Sequence, residues 1–277
     1  SFRAQKRNGK GIKTQEDITS MVLRTNTIDS LMIFSNKGKM YRLLVNDVPV
    51  GTNVSKGTSI KSLINMEMDE QPAVMYSIYR DTDAQYVLFV TKNGLVKKTA
   101  LDEYVKTKKK TGIAAITIKD GDELAAVSLI KDEPLIIVTE KGYGIHFDSK
   151  EIGATSRTTS GVKGITLGAE DKVVSAVPIR NKTDKLAIFV QNGLAKKFDL
   201  SELPIQKRGG KGLMCYKPTD STGMVSAATL IEDGDSILIL GDKSSICIEA
   251  SEIPNLGRAS IGNVVIKNSK VLSVSKV

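Results

Sequence analysis

"LAIFVQNGLAKKF", residues 186–198, decides the fold. Apolar and β-branched residues run from Leu186 to Val190, Asn192-Gly193 makes a turn pair, and a second run from Leu194 to Phe198 carries two lysines. Such runs favour strands, and Asn-Gly between them signals a two-residue hairpin turn in which both residues take positive φ. The design is written four more times: "LMIFSNKGKMYRL" (31–43), "YVLFVTKNGLVKKT" (86–99), "LIIVTEKGYGIHF" (135–147) and "ILILGDKSSICIE" (237–249). Gly38, Gly94, Gly142, Gly193 and Gly241 place these hairpins 48 to 56 residues apart, the period of a propeller blade.

A second half-pattern lies between the hairpins: a glycine-containing basic or Ser/Thr loop, then short apolar strands. Its loops are "KRNGKGI" (6–12), "SKGTSI" (55–60), "KKTGIAAI" (109–116), "GVKGITL" (161–167), "KRGGKGL" (207–213) and "SIGNVVI" (260–266). Its closing strands are "MVLRTNTI" (21–28), "AVMYSIY" (73–79), "LAAVSLI" (124–130), "VVSAVPI" (173–179), "VSAATLI" (225–231) and "VLSVSKV" (271–277). Two strands from each half make four-stranded units. Six second halves against five hairpins imply that the chain begins mid-repeat. No segment sustains helical periodicity, so the expectation is an all-β ring of five or six blades, with residues 1–277 as one domain.

Lys and Arg total 40 against 31 Asp and Glu, a net charge of +9, which points to a polyanionic partner. No apolar run approaches the roughly 20 residues of a membrane span and no signal segment opens the chain, so a cytoplasmic protein without membrane contact is expected. Cys215 and Cys247 are isolated in strand-like runs and His146 is the single histidine, which argues against a metal centre or a disulfide framework. The acidic stretches "KDGDE" (119–123) and "EDGDS" (232–236) are taken to occupy one repeat position, before a strand, where turn formation explains them. No catalytic residue, metal or cofactor is expected in this chain.

The cations cluster. Residues 1–13 carry Arg3, Lys6, Arg7, Lys10 and Lys13 with no acid, and the heptad Gln5, Lys6, Arg7, Asn8, Gly9, Lys10, Gly11 returns at 206–212 with Gly209 in place of Asn8. Glycines let backbone N–H groups approach a phosphate, while Lys and Arg supply charge and a fork that fits its oxygens. Neither a GxxxxGK[ST] loop nor a dinucleotide fingerprint occurs. Equivalent positions of successive blades share a rim, so a basic band is expected from Arg42, Lys97, Lys98, Lys196 and Lys197 on outer hairpin strands. Lys108, Lys109, Lys110, Arg157, Lys163, Lys207, Arg208 and Lys211 join it on the loops. Aromatic residues are only 5% and Trp is absent, so the band suits duplex DNA gripped by its backbone rather than single strands stacked on rings. Bending a duplex costs elastic energy that distributed phosphate contacts offset, so the expected action is wrapping.

"FRAQKRNGKGI" (2–12), "IFSNKGKMYRL", "VTKNGLVKKT", "TTSGVKGITL", "QKRGGKGL" and "LGRASIGNVV" resemble the C-terminal DNA-wrapping domain of bacterial DNA gyrase A across nearly the whole chain. The heptad is similar to that family's Q-R-R-G-G-K/R-G box, with Lys6 where Arg is usual and Asn8 where Gly is usual. The resemblance implies a six-bladed β-pinwheel whose four-stranded blades exchange strands, with the first-blade hairpin preceding Ser1. It also implies positive wrapping of duplex DNA that lets gyrase introduce negative supercoils. The implied partners in the full enzyme are the gyrase B protein and a second gyrase A protein, with ATP and Mg used elsewhere in that enzyme. The alternatives are the paralogous C-terminal domain of topoisomerase IV, whose box is degraded or missing, and a protein-binding β-propeller with a merely basic surface.

Overall fold

The computed structural model describes residues 21–51, 57–78, 82–106 and 111–277. These form an all-β, propeller-like fold of five blades. The first hairpin is β1 (Ser30–Ser35) and β2 (Lys39–Leu44), and β3 (Pro72–Ile78) closes it by pairing with β1. The second is β4 (Tyr86–Thr91) and β5 (Leu95–Ala100). The two-residue strand β6 (Ile113–Ala114) then leaves its own repeat to pair with β2 of the preceding one. The rule recurs. β7 (Leu124–Ile130) closes on β4, and β8 (Leu135–Thr139) with β9 (Tyr143–Phe147) makes the third hairpin before β10 (Val162–Lys163) crosses to β5. β11 (Val173–Pro178) closes on β8, β12 (Lys185–Val190) and β13 (Leu194–Asp199) form the fourth hairpin, and β14 (Leu213–Met214) crosses to β9. β15 (Val225–Ile231) closes on β12, and β16 (Ser236–Gly241) with β17 (Ser245–Glu249) makes the fifth hairpin. β18 (Asn263–Val264) crosses to β13, and β19 (Val271–Lys276) closes on β16. Four sheets thus have four strands, one of them exchanged, and the fifth has three among the described residues.

Two compact units divide these sheets. Residues 23–132 and 150–163 hold the first two, whose facing sides bury Met32, Phe34 and Met40 against Val87, Phe89 and Val127. Phe34 and Phe89 meet edge to face at 5.3 Å. Residues 133–149 and 164–277 hold the other three. Here β12 sends Leu186, Ile188 and Val190 into one inter-sheet core and Ala187 and Phe189 into the next. Both faces of the leading hairpin strands are therefore apolar, which explains why they read as continuous runs rather than alternating ones.

Three sequence expectations are corrected. Four of the hairpin turns are not two-residue turns: in 191–193 only Gly193 has positive φ, at 86°, and its N–H bonds back to Val190 at 3.0 Å, and Gly38, Gly94 and Gly142 do the same in theirs. That is the signature of a three-residue loop ending in a left-handed glycine, where Asn192 needs no unusual backbone. The fifth hairpin is one residue shorter: Leu240 pairs with Ser245 and Gly241 N–H bonds to Ser244 O at 3.0 Å, which leaves only Asp242 and Lys243 between them. Residues 21–28, expected as a strand, form none, and residues 57–63 contribute a helical turn, α1 (Ile60–Leu63), instead of an exchanged strand. Both segments would complete a hairpin that the described residues do not contain. Ile60, Leu63 and Ile64 instead cover the face of the first sheet formed by Ile33, Tyr41 and Leu43. Lastly, Asp122 lies before a closing strand and Asp235 before a hairpin, so the two acidic stretches are not one repeat position, although both make turns, Asp122 N–H to Lys119 O and Asp235 N–H to Glu232 O, each at 3.0 Å.

Candidate nucleic-acid interface

Because β10 and β18 lie outside β5 and β13, the second hairpin strand is an inner strand of a four-stranded sheet, not an edge. The side chains of Lys97, Lys98, Lys196 and Lys197 are buried by what covers the two faces of these strands, crossing-loop backbone, aromatic rings and carboxylates, their residues only 1%, 5%, 0% and 4% exposed, whereas Arg42 on the equally inner β2 is not covered. This corrects their expected place in a surface band. Lys98 pairs with Asp132 at 2.9 Å and lies over the Tyr86 ring, and Lys197 pairs with Asp233 and donates to Ala250 O at 2.8 Å. Lys97 donates to the backbone oxygens of Ala115 at 2.7 Å and Arg157 at 2.8 Å, with its nitrogen 5.4 Å from the Phe89 ring centre. Lys196 donates to the backbone oxygens of Arg258 and, at 3.4 Å, Gly257, between the rings of Phe198 and Tyr216. Burial without a bonded carboxylate disfavours the charged form and pushes both Lys97 and Lys196 down to about 8.

The loops that lead into the exchanged strands carry half-buried arginines, Arg258 donating from its guanidinium to Met214 O at 2.6 Å, and exposed lysines. Each of three described crossing loops opens its turn on an arginine four residues ahead of the glycine that starts the exchanged strand: Arg157 before Gly161, Arg208 before Gly212, Arg258 before Gly262. The spacing between them is 51 and 50 residues, the repeat itself. Arg258 was not among the sequence candidates, and its only signal was this register with Arg157 and Arg208. Lys163, Lys207 and Lys211 are exposed on the same loops. Arg42 is also exposed, its guanidinium donating to Ser30 Oγ at 3.2 and 3.1 Å and to Val105 O at 2.9 Å. The Gln5–Gly11 heptad and Lys108, Lys109 and Lys110 lie outside the described residues.

Consecutive crossing loops are tied together. Thr117 donates its N–H to Thr159 O at 3.1 Å and its hydroxyl to Thr158 O at 2.8 Å. Five residues past the next crossing glycine, Thr166 repeats the pattern on the heptad loop, with N–H to Gly210 O at 2.8 Å and hydroxyl to Gly209 O at 2.7 Å. A glutamate after each of two hairpins meets the loop from the other side: Glu103 lies 3.7 Å from the Arg157 guanidinium, and Glu202 accepts from the Arg258 N–H at 2.7 Å. The loops are thus held arginine platforms rather than loose basic tails. His146, at the strand position of Lys98 and Lys197, is buried with Nδ1 2.8 Å from Leu203 O. No group of His, Cys, Asp and Glu able to hold a metal occurs among the described residues. Among those residues, too, no helix is long and apolar enough to cross a membrane.

The family profile described as DNA gyrase C-terminal domain, beta-propeller, matches residues 1–19, 29–66, 85–131, 133–180, 184–232 and 248–275. The DNA gyrase A protein of Clostridium acetobutylicum is 33% identical over 286 residues, covering all of this chain and 34% of its own length. That of Escherichia coli K12 is 32% identical over 275 residues, 97% of this chain and 31% of its own. This chain therefore spans about a third of the curated relatives it matches. A solved DNA gyrase A C-terminal domain superposes with a TM-score of 0.85 at 27% identity, over 99% of this chain and 92% of that one. The C-terminal domain of a DNA topoisomerase IV superposes with a TM-score of 0.80 at 30% identity, over 91% and 80%.

Proposed function

Because the chain belongs to the DNA gyrase C-terminal domain family, we propose that it binds, bends and wraps duplex DNA through the phosphate backbone, without reading sequence. The observation that carries this reading is the arginine recurring at one position of successive crossing loops, Arg157, Arg208 and Arg258, with neighbouring loops tied by Thr117 and Thr166. Guanidinium groups repeated once per sequence repeat on held backbones suit the phosphates of a duplex, which a planar fork of donors matches. Arg7 and Lys108 stand at the same distance from Gly11 and Gly112, which extends the pattern to five loops in sequence. The reading keeps residues 1–277 as a single domain and six blades as the expected count. It assigns no catalytic step to the chain. In the whole enzyme the domain works in the cytoplasm beside a second gyrase A protein and the gyrase B protein. DNA cleavage, ATP and Mg chemistry belong to other parts of that assembly, and the wrapped segment leads to negative supercoiling.

The test is topological. The chain is incubated with nicked circular DNA, the nick is sealed, and the linking number is read. A positive shift that grows with protein is expected, and an unshifted distribution overturns wrapping. Affinity should also rise with duplex length and fall steeply with salt. In the intact enzyme, replacing Lys6, Arg7 and Lys10 with Ala is expected to abolish supercoiling and leave relaxation. The likeness to the topoisomerase IV domain favours a second reading, DNA delivery without chiral wrapping. Tight, length-dependent binding with no linking shift would select it.

A further inference from the structure

We propose that Lys97 and Lys196 are positioning residues for DNA contact, each buried ammonium clamping the backbone of the crossing loop above it so that Arg157 or Arg258 is presented to a phosphate. The inference rests on the DNA-wrapping reading. Neither lysine can reach a phosphate itself, being 1% and 0% exposed. What each reaches is the backbone oxygen of the arginine in question, Lys97 to Arg157 O at 2.8 Å and Lys196 to Arg258 O. A buried ammonium without a bonded carboxylate is unfavourable to keep in a fold, so two appearances at one repeat position point to a role beyond packing.

The two clamps are built alike in separate units. Lys97 and Lys196 occupy the third residue of β5 and of β13, and each is followed six residues later by a glutamate that meets the arginine loop, Glu103 or Glu202. The hairpin between them makes the contrast. At its equivalent position stands Ile145, and there the glycine-rich heptad bonds its own Gly209 N–H to Gly164 O at 2.8 Å where Lys97 bonds Ala115 O, while Thr166 holds it as Thr117 holds the Arg157 loop.

The clamp is sensitive to protonation. The charged groups facing Lys97 are Glu103 and Arg157, with the Tyr104 hydroxyl sharing its Ala115 oxygen at 2.9 Å; those facing Lys196 are Glu202, Arg258 and the Cys215 thiol. With both lysines pushed down to about 8, raising the pH from 7 to 9.5 removes the charge from each clamp. Charge-assisted hydrogen bonds are about twice as strong as neutral ones, so the loops loosen.

Binding of the full chain to a linear duplex of about 150 bp, one persistence length, tests this. Affinity is expected to fall about three- to tenfold from pH 7 to 9.5, the consequence of halving two charge-assisted contacts. Lys97→Met with Lys196→Met should bind at the weaker level at pH 7 and lose the pH dependence. In an Arg157→Ala background Lys97→Met should cost nothing further, whereas a merely structural lysine would cost the same in both backgrounds. Should the methionine variants fail to fold, the pH profile is read on Arg157→Ala with Arg258→Ala, where the fall should vanish. A flat profile in the unmodified chain, or additive costs, overturns the clamp while leaving wrapping intact. Absence of binding by the unmodified chain at low salt overturns the DNA-wrapping reading and the clamp with it.

Discussion

One hydrogen atom separates Gly212 from the carbonyl of Gly144 on β9. A Cβ there would overlap that oxygen, and the backbone holds φ of 73°, so the last glycine of the heptad is required by strand exchange rather than by phosphate approach. Gly112, Gly161 and Gly262 share its place in their repeats. Gly210 differs, since a Cβ would meet nothing nearer than Ile145 Cδ1 and Lys207 O at 3.5 Å. Gly212→Ala is therefore expected to lower stability by about 1–3 kcal/mol, and Gly210→Ala to stay within about 0.5 kcal/mol. Denaturant unfolding of the two variants checks this, and equal losses would refute the assignment. The glycine spacing was legible in the sequence. Its cause was not, because the carbonyl that excludes a side chain sits on a strand almost 70 residues earlier.

At the scale of the element, the leading hairpin strands are buried along nearly their whole length on both faces. β4 is buried at five of its six positions, and Phe89 contacts Phe34 across the sheet interface and Tyr104 at 5.9 Å. Phe89→Ala removes both ring contacts from a fully buried site and should cost about 3–5 kcal/mol, read as a lower urea midpoint with unchanged slope. Leu272→Ala on β19, 45% exposed, should cost far less. The five hairpins were readable because β-branched runs around a polar turn are local information. The order of the strands was not. The fourth strand of each complete sheet is a two-residue segment from the next repeat, too short for any periodicity, and its arrival turns β5 and β13 into inner strands. What moves four lysines from an expected surface band to the interior is the cover that crossing loops and rings lay over the faces of these strands, since Arg42 on the equally inner β2 stays exposed.

At the scale of the whole molecule, those lysines make stability respond to pH in a definite sense. Lys97 and Lys196 have folded values near 8 and an unfolded value of 10.5, both lowered by burial. Between those limits the unfolded chain holds protons that the folded chain has released, so stability rises with pH. Below pH 8 both states are protonated and the cost of the buried charge is present in full. Thermal unfolding should therefore occur higher at pH 9.5 than at pH 7.5, by about 2–4 °C for each kcal/mol relieved. Lys97→Met with Lys196→Met should lose that rise. DNA affinity and stability are thus expected to move in opposite directions across one pH window, which separates a loosened loop from an unfolding protein.

By itself the sequence determined the all-β class, the repeat of about 50 residues, the placement of the hairpins and the cationic loops between them, because strand propensity, turn chemistry and charge are properties of neighbouring residues. Tertiary structure alone decided which cations face solvent. Burial is decided by what covers a side chain, here loops and rings brought from distant parts of the chain, rather than by what it is.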